Sequence, residues 1–110
     1  MIQKTIAELE ARLEKVDSVK EENKAELLKL LSTLKSEIEV LSKTHEEQAQ
    51  SIAGFTSVSA HEAIRDVKNP RLIQLSLDGL SASVAELEQS HPRLVDAVNR
   101  ICVTLSNLGI

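Results

Sequence analysis

The stretch "PRLIQLSLDGLSASVAELEQSHPRLVDAVNRICVTLSNL", residues 70–108, decides what kind of fold this chain can make. Stepping by fours and threes from Ile73 gives Leu77, Leu80, Val84, Leu87, then His91, then Leu94, Val98, Ile101, Leu105 and Leu108. A repeat of that spacing follows the turn of an α-helix and cannot be satisfied by the two-residue period of a strand. His91 is the single polar residue in an otherwise aliphatic column, and Pro92 follows it directly. A proline inside a helix removes an amide donor and collides with the carbonyl four residues back, at a cost of about 3 kcal/mol. In the first turn of a new helix it costs nothing, and Ser90 stands where a capping hydroxyl belongs. The sequence therefore predicts a helix start at Ser90-His91-Pro92 in preference to a kink. Whether the two pieces fold back as a hairpin or run on nearly collinear stays open.

Working toward the N-terminus, Ile2, Ile6, Leu9, Leu13 and Val16 form a stripe that predicts a helix over about 2–16. Ser18 and Glu21 have capping-box spacing and open a second helix near Val19. Its stripe is Leu27, Leu31, Leu34, Ile38 and Leu41, and it can be extended through His45 and Gln48 to Ile52, with Gly54 as the stop. A second capping box, Thr44 to Glu47, offers an earlier break. Residues 54–60, "GFTSVSA", read as a linker, after which Ser59 to Glu62 caps a short helix over about 60–68. Asn69 ends that helix and caps the next, with Pro70 at its first position. Gly109 and Ile110 suit a Schellman ending. The expected fold is all-α: long amphipathic helices in a coiled-coil-like bundle or hairpin. It forms a single domain, 1–110, with an N-terminal helical part (1–53), a linker with a short helix (54–69) and a C-terminal helical part (70–110).

Composition narrows the function. Phe55 is the only aromatic residue, so the rings that stack on bases or sugars are missing. The net charge is −4, and neither half of the chain has the basic excess that attracts phosphate backbones or anionic lipid. Nucleic acid is thus not an expected partner. No apolar run approaches the roughly 18 residues of a membrane span, and the charged N-terminus lacks the apolar core of a signal peptide. With one cysteine, Cys102, the expected setting is cytoplasmic.

Catalytic and metal chemistry find little support. None of His45, His61 and His91 has a second ligand type at i+3 or i+4, so no metal site and no cofactor is expected. Ser90 and His91 are neighbours in sequence, which is poor geometry for a nucleophile and its base. No glycine-rich loop is present to hold phosphate, and Cys102 reads as a small core residue. An enzyme is not expected. The aliphatic columns are the main signal, because a narrow apolar seam must be covered by another helix. Homo-oligomerisation through the Leu27–Leu41, Ile73–Leu87 and Leu94–Leu108 seams is expected, with an unidentified protein partner also conceivable. The competing reading is a ligand- or metal-binding regulatory domain in which His45, His61 and His91 meet in space.

The C-terminal segment "ELEQSHPRLVDAVNRICVTLSNLGI" resembles a family of small bacterial proteins grouped as a domain of unknown function. Their C-termini read S-H-P-x-L, a helix, then L-x-N-x-G-I. That pattern falls here on Ser90, His91, Pro92, Leu94, Leu105, Asn107, Gly109 and Ile110. The resemblance implies a small helical bacterial protein and supplies neither catalytic residues nor a ligand.

Overall fold

Each aliphatic column winds into helix. The computed structural model describes residues 2–17 and 19–108, with residues 2 and 3 described by backbone alone. Of the described residues 83% are helical and none forms a strand, so the chain is an all-α helical bundle. In order, the elements are α1 (Ile2–Lys15), α2 (Glu21–Ser42), α3 (Glu46–Ala63), α4 (Pro70–Ser83), a 3₁₀ turn (Ala85–Leu87) and α5 (Pro92–Leu108).

Helices α2 and α3 form the middle of the bundle. Helix α1 lies on both of them, while α5 packs on α2, α3 and α4, and α4 packs on α3 and α5. Among the described residues α1 touches neither α4 nor α5. The radius of gyration is 12.9 Å, close to the value of about 13 Å expected for a compact chain of this length.

The columns supply one continuous core. Leu27, Leu31, Leu34, Ile38 and Leu41 are fully buried, and Leu94, Val98, Ile101 and Leu105 join them with 0% exposure. Ile73, Leu77, Leu80, Val84 and Leu87 are buried too, and Leu108 is partly buried against the cluster. This corrects the expectation that these seams face a second copy: they are consumed in covering one another within one chain.

Helix boundaries follow local chemistry. Asn69 caps α4 as expected, its side-chain oxygen accepting from the amides of Arg71 at 3.1 Å and Leu72 at 3.2 Å, with Pro70 at the first helical position. Pro92 opens α5, where its missing amide costs nothing, so the start and not the kink is realised. The His91 amide donates to the Leu87 carbonyl at 2.7 Å, and the Val95 amide donates to the His91 carbonyl at 3.2 Å. The 3₁₀ turn and this junction let α5 pack back against α4, so the chain changes direction between them. The Ser18 capping box and the Gly109-Ile110 ending lie outside the described residues.

The middle of the chain departs from the expectation. Helix α2 stops at Ser42, and α3 begins at Glu46 and runs straight through Gly54 to Ala63. Residues 54–63 are therefore not a linker, and no separate short helix spans 60–68; within 54–69 only residues 64–69 are non-helical. The break comes at Lys43–His45, where the amides of Thr44 and His45 both bond back to the Leu41 carbonyl and His45 leaves helical geometry at φ −135°, ψ 61°. Neither Thr44 nor His45 makes a side-chain cap to α3. The reason α3 persists is a different stripe. Ala49, Ile52, Ala53, Thr56, Ser59, Ala60 and Ala63 recur at helical spacing and are all buried. Small residues of this kind let α3 lie close to its neighbours. Ser59 is thus an interior residue of α3 and not the cap of a new helix.

Candidate functional site

Burying the small-residue side of α3 turns Phe55 and Val58 outward, toward the seam with α4. Helix α4 buries Ile73, Ser76, Leu77 and Leu80, which leaves Leu72 and Leu75 on its outer flank. Phe55 is 39% exposed, Val58 51%, Leu72 44% and Leu75 55%. Four large apolar side chains on two adjacent helices make a patch, which carries more meaning than scattered exposed leucines. They line a groove of about 290 Å³ together with the buried Glu62 and Ser76. Glu62 is held there by Arg65, whose Nη1 donates to both carboxylate oxygens at 3.1 Å.

The floor of this groove depends on a glycine. A Cβ on Gly79 would stand 2.4 Å from a ring carbon of Phe55. The absence of a side chain at 79 is therefore what lets the ring lie down on α4. Gly54, one residue earlier on α3, has nothing within 4 Å of its would-be Cβ.

Two of the three histidines meet, and the third does not. His45, before α3, and His91, before α5, place their ring centroids 6.1 Å apart at an interplanar angle of 80°. The Nδ1 of His45 pairs with the Thr44 hydroxyl at 2.7 Å, and that of His91 with the Ser90 hydroxyl at 3.0 Å. Each ring is thus paired with the hydroxyl of the residue before it. His61 lies sixteen residues along α3 from His45, about 24 Å at 1.5 Å per residue. Its Nδ1 lies 2.5 Å from Arg12 Nη1 of α1. A guanidinium can only donate, so Arg12 is the donor in this contact. This corrects the three-histidine cluster. Among the described residues, no three His, Cys, Asp or Glu side chains converge to hold a metal ion.

A cleft of about 670 Å³ lies beside that contact and is lined by Arg12, Val16, Asp17, His61, Ile64, Arg65 and Asp66. Two arginines and two aspartates line it, so their formal charges cancel.

Cys102 sits half-buried on α5 against the core. Burial, and secondarily the negative charge of Asp78, raise its thiol pKa above the ordinary value. The thiolate is the reacting form, so alkylation of Cys102 at pH 7 is expected to run well below the rate of a free thiol. It should keep accelerating through pH 9 and speed up further on denaturation. Labelling followed by mass spectrometry checks this, and a rate equal to that of free cysteine at pH 7 contradicts it.

The apolar α3–α4 groove is not legible as a site in the sequence, because Gly54 to Ala60 has the composition of a linker. The signal that could have found it is the alanine and serine stripe of α3, which implies that Phe55 and Val58 point away from the core.

The fold and surface define a class: an all-α helical bundle with an apolar groove on one face. No helix among the described residues is long and apolar enough to cross a membrane. The family model described as "Domain of unknown function (DUF4404)" matches residues 2–110, and the chain belongs to that family. No curated protein and no solved structure matched the chain.

Proposed function

We propose that this protein is a non-catalytic interaction module that associates with a second copy of itself through the α3–α4 face, in the cytoplasm. One observation carries the reading: Phe55, Val58, Leu72 and Leu75 form a contiguous apolar surface after every long seam has been covered internally. A contiguous apolar surface of this kind is what an interface centre looks like. It moves the expected contact from the buried columns to residues that a partner can reach.

Light scattering on the purified chain is expected to give a dimer mass at micromolar concentration. The double variant Val58→Asp/Leu75→Asp should give a monomer mass with an unchanged far-ultraviolet circular dichroism spectrum, because both positions are exposed. A wild-type protein that stays monomeric at several hundred micromolar would remove the proposal.

A second reading is favoured by the His45–His91 pair. With each Nδ1 engaged by a hydroxyl, each Nε2 is the nitrogen left for a borderline cation such as zinc or nickel, in the arrangement that second-shell partners impose on metal histidines. Two ligands without a third imply weak binding. Calorimetric titration with zinc should give a weak isotherm that His91→Ala abolishes; no heat at all ends this reading.

A further inference from the structure

Where the second copy sits can be read from α4, granted that the association proposed above takes place. At 100° per residue, Arg71, Leu75 and Asp78 fall on one ridge of α4, opposite its buried residues Ile73, Leu77 and Leu80. All three ridge residues are exposed. Arg71 makes no ion pair among the described residues, and neither does Asp78. One oxygen of Asp78 accepts from Gln74 Nε2 at 2.8 Å, which fixes the carboxylate and leaves its other oxygen unengaged.

The ridge thus reads cation, leucine, anion along the helix. A face of that pattern is complementary to itself in one orientation only. Laid antiparallel on a second copy, each Arg71 meets the other chain's Asp78, and Leu75 lies beside the axis. Laid parallel, arginine meets arginine and aspartate meets aspartate. A two-fold interface pairs residue i with j and j with i, and this ridge supplies such a pair on either side of an apolar middle. Leu72, Phe55 and Val58 extend that middle toward α3, so the ion pairs fall at its ends, where interfaces carry their polar rim.

We propose that the chain forms an isologous dimer in which α4 packs antiparallel on α4 of a second copy, centred beside Leu75, with two reciprocal Arg71–Asp78 ion pairs.

The test uses charge exchange on the full chain. Arg71→Asp alone sets two pairs of like charges against each other, and so does Asp78→Arg alone. Each is expected to weaken the dimer by about tenfold or more. Mixed in equal amounts, the two variants should form a heterodimer, because each reversed residue then faces its complement. Circular dichroism of each variant confirms that it folds, which exposed positions permit. As a second measurement, Leu75→Cys in a Cys102→Ser background should oxidise readily to a covalent dimer. Val103→Cys, 62% exposed on α5, should not in the same background. A wild-type dimer whose two single variants remain dimers, or whose mixture fails to recover, overturns this geometry while leaving self-association in place. A wild-type monomer overturns both.

Discussion

Leu34→Asp is expected to abolish folding at 25 °C. Leu34 has no exposed surface and lies on α2, which packs against α1, α3 and α5. Truncating such a side chain costs about 2–5 kcal/mol. Placing a carboxylate there without a partner adds several more, and the sum rivals the whole stability of a domain this size. Far-ultraviolet circular dichroism should show loss of most helix. The same chemical change at Leu75, 55% exposed, should leave the spectrum intact. The contrast separates residues that hold the bundle from residues that can meet a partner. A folded Leu34→Asp protein would mean that α2 does not occupy the centre.

The second large effect is expected at Gly54. Because α3 runs unbroken from Glu46 to Ala63, Gly54→Pro removes the amide that bonds to the Gln50 carbonyl and drives the ring into that carbonyl. The cost is about 3 kcal/mol or more. Gly54→Ala should act in the opposite direction, gaining up to about 1 kcal/mol from helix propensity, because its Cβ meets nothing within 4 Å. Urea denaturation of both variants distinguishes the cases. A linker at 54–60 would tolerate the proline and show no gain from the alanine.

That disagreement shows where sequence reading succeeded and failed. The Leu/Ile/Val columns were legible because large aliphatic side chains at helical spacing have one inexpensive destination. Most of the residues so identified are core, with Val16 and Leu108 partly buried against it and His91 half-buried at the junction where its column changes helix. Pro92 and Asn69-Pro70 were legible because proline has few backbone options. Helix α3 was not, since Ile52 is the one large aliphatic residue on a buried side otherwise made of Ala49, Ala53, Ala60, Ala63, Thr56, Ser59 and Glu62. Gly, Ser and Thr in that run look like loop material until a neighbouring helix is present to reward their small size. Misplacing α3 hid the apolar groove as well, since Phe55 and Val58 acquire a direction only when α3 is helical. The pairing of His45 with His91 depends on how the α2–α3 and α4–α5 junctions meet in space, and one-dimensional spacing carries no trace of it.

Phe55 resting on Gly79 has a spectroscopic consequence. With no tyrosine or tryptophan, the chain barely absorbs at 280 nm and has no tryptophan emission, so its concentration must be read from peptide absorbance. In exchange, the proton spectrum contains one phenylalanine ring, free of overlap with any other apart from the three imidazoles. That ring lies against the α-protons of Gly79, whose resonances its ring current should displace. A dilution series recorded on unlabelled protein would then follow the α3–α4 groove directly, through the one aromatic spin system that borders it.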